Sequence, residues 1–413
     1  MMARITITSE AIVTAGKHSC PVIHFEHAPA PTPGVSFFEQ LDALRREHEI
    51  FRSDEAQGYW VFTRSEMIVD ALQHPEIFSS AATVPTIPEP PYRWIPLMVD
   101  PPDHTKWRKL LGEWFSPGRI ASLEPLVRDR CAGLVDSIAA GDRCDFVADF
   151  ASQFPTVIFL QIIGLPVEEL DQFMDWEGKI LHFNSDTDPD YSGMMAAMDQ
   201  VTKRFAELIA VRRSDPASRG EDIISAAIGW TIDGRAVSDN DLLSCLLLLF
   251  MAGLDTVAAQ LSFLFRHLAT VPVDRQRLLG DPDLIPAAVE ELLRAQSIVR
   301  LGRKVTQDAE FHGCPLKAGD MVSMPLAFAT RDEGVIDEAT EVKIDRGAFR
   351  NFAFGAGPHR CLGSHLARRE LIIAVEEWHK RIPEYSVPDG AEVIEHSGNG
   401  VYGLDRLPLR WAP

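Results

Sequence analysis

The sequence lacks the features that mark several classes of protein. Its six cysteines form no Cys-x-x-Cys pair, and in 413 residues they do not indicate a disulfide scaffold. The first 20 residues lack the apolar core, about 7–15 residues long, of a secretory signal. The longest apolar run, Leu242 to Leu254, has 13 residues, whereas a membrane-spanning helix needs about 20. We therefore expect a cytoplasmic protein with no membrane segment, with five reduced thiols and one cysteine, Cys361, in unusual surroundings.

Basic residues are also scarce. The chain has 40 Lys and Arg residues against 60 Asp and Glu residues, a formal net charge of −20. Nucleic-acid binding needs a basic surface, so this balance argues against a nucleic-acid partner. Hydrophobic residues make up 46% of the chain, which is ample material for a globular core.

Helical patterns dominate what is present. We predict an irregular segment over residues 1–35, a short helix at 38–47 and a small β-hairpin from 50–52 and 58–63. Further helices are predicted at 103–114, 117–139, 148–163, 167–182, 191–213, 238–270, 283–295 and 361–381, with short strands at 310–312, 315–317 and 321–324. No repeat divides the chain, which favours a single α+β domain, mainly α, over residues 1–413.

Two segments depart from ordinary helix and turn patterns. The 238–270 segment begins with Ser238-Asp-Asn-Asp, which is good capping chemistry, and is apolar nearly all round, so a long central helix is expected. The segment from Ser79 to Asp100 holds five prolines together with Tyr92, Trp94 and Met98. A loop this long inside a compact domain is usually functional.

The segment Phe354-Gly-Ala-Gly-Pro-His-Arg-Cys-Leu-Gly363 carries the clearest chemistry. Its first two glycines and Pro358 predict a rigid turn that leads Cys361 to the start of a helix. Free N–H groups and the dipole at a helix N-terminus favour negative charge, which is expected to lower the pKa of the thiol. A thiolate held this way suits haem iron, and Gly363 leaves room for a flat macrocycle. A structural cysteine in a glycine-rich turn is the alternative.

Two polar pairs lie on predicted helices. Asp255 and Thr256 follow Ala252-Gly-Leu inside the apolar 238–270 helix, where unpaired polar groups are costly. A satisfied pair, with Thr256 bonded to the carbonyl four residues earlier, is the simplest interpretation. Glu291 and Arg294 share one helix face three residues apart, and on their own they indicate a surface ion pair.

In this order and spacing, these three motifs resemble the cytochrome P-450 family, and the resemblance extends over nearly the whole chain. It implies the cytochrome P-450 fold, with small β-sheets and a haem between the long central helix and the helix that follows the cysteine. The cofactor would be haem b, with Cys361 as the iron ligand and Phe354 and Gly363 beside it. Glu291 and Arg294 would be a buried pair in the haem-binding core.

The resemblance also implies roles for the polar residues. Thr256 would hydrogen-bond dioxygen or a water beside it, and Asp255 would relay protons. Gly253 would leave room for dioxygen. The haem propionates would be bound by four side chains, each of which taken alone is an ordinary surface cation: His104, Arg108, Arg303 and His359.

Within the family the chain resembles the bacterial camphor hydroxylases, which implies a compact apolar pocket. Tyr92 would donate a hydrogen bond to a substrate oxygen, although it could also be one more aromatic residue of the loop. The other pocket positions are Leu248, Met251, Val299, Leu301 and Thr86. Leu248 and Val299 are equally suited to plain core. Met251, Leu301 and Thr86 stand where those relatives have valine, aspartate and phenylalanine. We expect a terpenoid or norisoprenoid substrate with a carbonyl or ether oxygen.

The reaction implied is insertion of one atom of O2 into the substrate. Electrons would come from NADH through a ferredoxin reductase and a 2Fe–2S ferredoxin, and the protein would be a monomer. An acidic ferredoxin needs a positive docking patch, for which the candidates are Arg108, Lys109, Arg350 and Arg360. The connection 183–190 is expected to be a lid between two helices. A peroxide-driven haem-thiolate peroxygenase and a non-catalytic haem sensor are the alternatives.

Overall fold

Helices form most of the structure, as the sequence predicts. The computed structural model describes residues 13–15, 18–31, 35–181, 188, 190–398 and 400–412. Its α-helices are α1 (Phe37–Glu47), α2 (Ser65–Gln73), α3 (Asp103–Gly112), α4 (Pro117–Ala139), α5 (Gln153–Ile163), α6 (Leu170–Leu181), α7 (Ser192–Ser214), α8 (Ile223–Ala227), α9 (Asp239–Thr270), α10 (Pro272–Gly280), α11 (Ile285–Ala295), α12 (Leu326–Thr330) and α13 (Ser364–Arg381). The predicted lid over 183–190 lies almost wholly outside the described residues.

Short strands form one larger sheet and several two-stranded ones. The strands are β1 (Val13–Ala15), β2 (His18–Cys20), β3 (Val22–Ile23), β4 (Ile50–Ser53), β5 (Tyr59–Phe62), β6 (Phe78–Ser79), β7 (Arg143–Asp145), β8 (Thr231–Ile232), β9 (Arg235–Ala236), β10 (Arg300–Val305), β11 (Ala309–Phe311), β12 (Cys314–Leu316), β13 (Met321–Pro325), β14 (Ile394–Ser397), β15 (Tyr402–Arg406) and β16 (Pro408–Arg410). The larger sheet has the order β3-β4-β5-β13-β10-β6. The predicted hairpin is β4 and β5, paired antiparallel.

Two expectations about local structure are wrong. Residues 1–35 are not irregular throughout, because β1 pairs with β2 and β3 joins the larger sheet beside β4. These strands are too short for a period-two pattern to show in the sequence. The helix predicted at 148–163 is divided into a π-helical turn, Val147–Ala151, and α5.

Helix α9 is the central element. The Ser238 side chain accepts a hydrogen bond from the Asp241 N–H at 3.2 Å, so the predicted cap is observed. Most of the helix is buried, and it packs against α5, α6, α7, α10, α11 and α13. By length and composition it could cross a membrane, but 67% of its most apolar stretch is buried inside the protein, as in the core helix of a globular fold.

Strand β10, which the sequence pattern did not reveal, passes beside the cysteine turn. It pairs with β13 along its length and with β6 at its end. Alternation along a strand places Leu301 and Arg303 on one face and Arg300 on the other. Three basic residues and a glycine interrupt the apolar alternation by which a strand is recognised in a sequence. The strand forms because it pairs with a neighbour on each edge.

Candidate active site

The cysteine turn adopts the predicted conformation. Gly355 and Gly357 have φ of 72° and 67°, and a Cβ on Gly357 would lie 2.0 Å from the Leu72 carbonyl oxygen. Only glycine fits there without a shift of the backbone. The Cys361 N–H donates to the Phe354 carbonyl at 2.9 Å, which folds the turn back on itself. Helix α13 begins three residues after the cysteine, at Ser364.

The N–H of Gly363 at the helix N-terminus lowers the pKa of the Cys361 thiol, as expected, but it does not decide the net shift in the protein alone. The cysteine is open to a cleft on one side, yet protein surrounds its sulfur on the others. This burial raises the pKa, and it outweighs the opposing effects of the Gly363 N–H and of Arg108 and Arg360. The turn therefore offsets part of the free-energy cost of burying the Cys361 thiolate, but not all of it. A coordinated metal cation deprotonates such a thiol outright.

The middle of α9 also faces an open cleft. Ala252 is exposed although the residues on both sides, Phe250, Met251 and Leu254, are buried. The Thr256 hydroxyl donates to the Ala252 carbonyl at 3.0 Å, so the simplest interpretation of this threonine is observed. Because a hydroxyl has one hydrogen, Thr256 can still accept a hydrogen bond on the cleft side.

Asp255 and Gly253 lie on other faces of the same helix. Asp255 is half-buried and lines a cavity of about 210 Å³ together with Ser262 and His396. A Cβ on Gly253 would lie 2.3 Å from the Phe159 ring of α5. The space at Gly253 is thus filled by Phe159, and the expectation that it is kept for dioxygen is wrong.

The four predicted cationic side chains come together. The rings of His104 and His359 lie 3.9 Å apart. The pKa of His359 is lowered to about 2 by burial and by the nearby Arg303, His104 and Arg108. The pKa of His104 is lowered to about 4, again mainly by burial and then by Arg108. Burial also lowers the pKa of Arg303, to about 10.

Among the described residues, no carboxylate forms an ion pair with this cluster, although Asp100 lies near enough to oppose the lowering of the pKa of His104 and Arg303. His104 Nδ1 and His359 Nε2 are buried without a hydrogen-bond partner in the part of the chain that the structure describes. Buried Arg303 donates to the carbonyl of its neighbour Gly302, at 2.7 Å. Arginines that are buried beside neutral histidines need an anion, since an isolated buried charge is costly. The donor set suits carboxylates.

The predicted pocket residues occupy three elements. Tyr92 is half-buried and stacks on Trp94 at 4.3 Å, in the loop that leads to α3. Leu248 and Met251 are buried on α9. Val299, beside β10, forms a bridge to Val401, the residue before β15. Two further predicted residues are half-buried in separate places: Thr86 in the same loop as Tyr92, and Leu301 on β10.

Leu301 lies beside the cysteine turn. Its Cδ1 is 3.9 Å from the position a Cβ on Gly355 would take. Strand alternation also places it on the same face as Arg303.

A match to known proteins accompanies this geometry. The family model described as Cytochrome P450 matches residues 36–377. The chain belongs to the cytochrome P450 family. It is 36% identical over 363 residues to a probable cytochrome P450 127A1 of Sinorhizobium fredii, covering 87% of this chain and 84% of that protein. It is 31% identical over 376 residues to a steroid C26-monooxygenase of Mycobacterium tuberculosis, covering 90% and 99%.

Solved structures agree with the fold. The crystal structure of CYP101J2 superposes with a TM-score of 0.86 at 31% identity, covering 95% of this chain and 97% of that one. CYP101C1 superposes with a TM-score of 0.84 at 27% identity, covering 95% and 98%. The predicted family, the P450 fold and the activity class, a haem-thiolate monooxygenase, are thereby confirmed. The family's cofactor is haem b.

The residues of this cytochrome P450 fit a haem. Apart from the two adjacent residues, a Cβ on Gly363 would meet only the Cys361 sulfur, at 4.0 Å, among the described residues, so that side of the cysteine is open. Ala252 is exposed on α9, and the four-residue cluster supplies two guanidinium groups and two imidazoles for two propionates. When bound, haem supplies the iron chemistry by which dioxygen is activated.

A buried ion-pair network joins α11 to the segment that precedes the cysteine turn. Glu291 and Arg294 of α11 form two hydrogen bonds of 2.8 Å and are fully buried, as the family resemblance implies. Arg346 joins them, with its Nε 3.0 Å from both Glu291 oxygens. Sequence reasoning missed Arg346, because it lies 55 residues from Glu291 and has no local pattern. Val401 was missed as a neighbour of Val299 for the same reason.

Proposed function

We propose that this cytochrome P450 hydroxylates a compact apolar substrate, a terpenoid or norisoprenoid with a carbonyl or ether oxygen. Tyr92 carries the proposal: its ring is half-buried in the proline-rich loop and stacks on Trp94, and we assign its phenol as the polar group of the pocket. Burial raises the pKa of Tyr92, so the phenol stays protonated and able to donate. Relatives of this chain act, by their names, on steroids, methyl-branched lipids and vitamin D3, which are also largely apolar.

We assign the site residues as follows within this proposal. Cys361 is the axial ligand, flanked by Phe354 and Gly363. His104, Arg108, Arg303 and His359 bind the propionates, and the absence of an ion pair to any of them among the described residues supports this. Thr256 accepts a hydrogen bond from a water in the cleft through its free lone pair, and Asp255 relays protons from the neighbouring face of α9. Substrate contacts come from Tyr92, Leu248, Met251, Val299, Thr86 and Leu301.

Substrate binding tests the proposal directly. Apolar ligands that displace water from haem iron shift the Soret band from low spin to high spin. We expect monoterpenoid ketones to give this shift with higher affinity than hydrocarbons of the same carbon skeleton, since only the ketone accepts from Tyr92. Steroids that bind more tightly than every monoterpenoid would contradict the compact substrate class.

The variant Tyr92→Phe separates the hydroxyl from the ring. It should weaken ketone binding about tenfold, the value of one hydrogen bond of roughly 1.4 kcal/mol, and leave hydrocarbon binding unchanged. The spin-shift titration measures both. An equal loss for ketone and hydrocarbon would assign Tyr92 a packing role only.

We further propose that a 2Fe–2S ferredoxin donates electrons at the cysteine face. Lys109, Arg350 and Arg360 are exposed and Arg108 is half-buried, and none forms an ion pair among the described residues. Arg108 and Arg360 both lower the pKa of Cys361, which places them beside it. Unpaired cations in an acidic protein form a local patch that would steer an acidic partner.

Charge reversal tests this docking surface. Lys109→Glu and Arg350→Glu should each slow reduction by an acidic ferredoxin roughly tenfold at low salt, with the difference shrinking as salt is added. Arg410→Glu, an exposed arginine on β16, is the matched control and should change little. A similar rate for all three variants would mean that the ferredoxin docks at another surface.

We propose that the chain acts as a single-domain monomer in the cytoplasm.

A further inference from the structure

Two buried cysteines from distant parts of the chain are in contact. Cys20 ends β2 and Cys314 begins β12, 294 residues later, and their Sγ atoms lie 2.7 Å apart. Both residues are buried. A disulfide needs a separation of about 2.05 Å, so the two sulfurs need to approach by less than 1 Å. The other four cysteines, all within the described residues, form no thiol–thiol contact there.

The two cysteines belong to separate structural units. The residue after Cys20, Pro21, accepts a hydrogen bond from the Arg52 N–H at 2.9 Å, and β3 follows on the edge of the larger sheet. Cys314 belongs to the β11–β12 hairpin, which turns through His312 and Gly313 with positive φ. A bond between the sulfurs would therefore tie the N-terminal strands to this hairpin.

We propose that Cys20 and Cys314 are an oxidation-sensitive pair, which hydrogen peroxide converts into a disulfide. The first thiol sulfur attacks peroxide, the O–O bond breaks, and a sulfenic acid and one water form. The second thiol displaces the hydroxyl as a second water, and the S–S bond forms. The two sulfurs lose two electrons and peroxide gains them.

The activity of the enzyme supplies this oxidant. Dioxygen that takes up two electrons and two protons without inserting an oxygen atom into substrate leaves as hydrogen peroxide. Peroxide is small and uncharged, which suits a buried target. The sequence predicts that both cysteines are reduced thiols. On this proposal they stay reduced only while the concentration of hydrogen peroxide is low.

The environment makes the reaction slow at neutral pH. Burial, and then the contact with Cys20, raises the pKa of the Cys314 thiol to about 12. Since the thiolate is the attacking species, the rate should rise with pH, by about tenfold per unit below the pKa. Once formed, the bond closes a loop of 294 residues. Such a constraint acts on the unfolded chain, so the oxidised protein should melt several degrees higher.

Peptide mapping of the full-length holoenzyme tests the proposal. The protein is treated with hydrogen peroxide at pH 7 and pH 8.5, then denatured, alkylated and digested without reductant. We expect two fewer alkylated cysteines, a cross-linked peptide that joins Cys20 to Cys314, and faster formation at the higher pH. Reductant should restore both thiols and lower the melting temperature again.

Variants supply the controls. Cys314→Ser should form no cross-link, and its melting temperature should not rise with peroxide. Cys131→Ser removes another buried cysteine and should keep the cross-link. The proposal is overturned if the wild-type map retains all six alkylated cysteines, or if the cross-link joins a different pair. The map does not depend on substrate turnover, so it stands or falls separately from the proposed substrate.

Discussion

At the scale of single residues, Thr256 shows how a backbone bond directs a side chain. Its only hydroxyl hydrogen is used by the Ala252 carbonyl at 3.0 Å, which leaves oxygen lone pairs toward the cleft. A group held in this way can orient a donor but cannot itself donate without breaking the bond. Thr256 therefore suits the positioning of a water.

The variant Thr256→Ala should separate electron flow from product formation. Without the acceptor, protons are delivered less well, and we expect NADH consumption to continue while product per NADH falls by about tenfold or more and peroxide rises. Thr256→Ser retains the hydroxyl and should keep most of the coupling. Paired assays of NADH, peroxide and product measure this. Equal coupling in the Ala and Ser variants would show that the hydroxyl is not used.

Glu291 illustrates the cost of an unpaired buried charge. It accepts two hydrogen bonds from Arg294 and further bonds from Arg346 and the Lys343 N–H. Glu291→Gln leaves two buried guanidinium groups without a counterion, so we expect a loss of about 3–5 kcal/mol in the free energy of unfolding.

Chemical denaturation and haem retention measure this loss. The matched control is Asp199→Asn, which breaks the exposed pair with Lys203 four residues away. An exposed pair contributes little, so its loss should leave both readouts near wild type. If Glu291→Gln and Asp199→Asn behave alike, the buried network does not stabilise the cysteine turn.

At the scale of elements, the contact between α9 and α5 depends on one missing methyl group. Phe159 occupies the volume that a Cβ on Gly253 would fill, at 2.3 Å. Glycine in a helix interior is unfavourable by about 1 kcal/mol relative to alanine. Here its absence of a side chain lets the aromatic ring of α5 pack against the helix that carries Thr256.

A double-mutant cycle tests this packing. Gly253→Ala should cost roughly 1–3 kcal/mol of stability through overpacking, despite its better helix propensity. In the Phe159→Ala background the same change should be neutral or stabilising, because the ring is gone. Urea denaturation of the four proteins gives the coupling energy. A Gly253→Ala variant that is as stable as wild type would mean that α5 shifts freely.

At the scale of the whole molecule, buried histidines set the response to acid. Burial, followed by the charge of Arg275, lowers the pKa of His379 to about 4, and its Nε2 lies 3.2 Å from the Tyr385 hydroxyl. In the unfolded chain the pKa is about 6.5. The unfolded state therefore binds more protons below that pH, and the contribution of His379 to stability is lost as pH falls from about 6.5 toward 4.

The variant His379→Gln should remove this dependence. Between pH 7 and pH 5 the wild type should lose about 2 kcal/mol more stability than the variant. Urea denaturation at both pH values, followed by circular dichroism, measures the difference. His24→Gln is the control: Asp54 raises the pKa of that exposed histidine, so its contribution has the opposite sign. A parallel loss in wild type and His379→Gln would point to other groups.

Local patterns in the sequence determined much of this protein. A few neighbouring residues determine each of three features: the positive φ of Gly355 and Gly357, the cap at Ser238 and the apolar surface of α9. Short-range sterics and hydrogen bonds fix such features before the chain folds. The family and its haem-thiolate chemistry are predicted by the resemblance of three motifs, around Cys361, Thr256 and Glu291.

The tertiary structure alone decided which distant residues meet. The sequence around one member of each contact does not predict the other. This holds for Glu291 with Arg346, Gly253 with Phe159, and Cys20 with Cys314. The net direction of the Cys361 pKa is likewise a tertiary property, because burial by the whole fold outweighs the local effect of the helix end. Packing and desolvation sum over contacts that are far apart in sequence, so a local pattern cannot contain them.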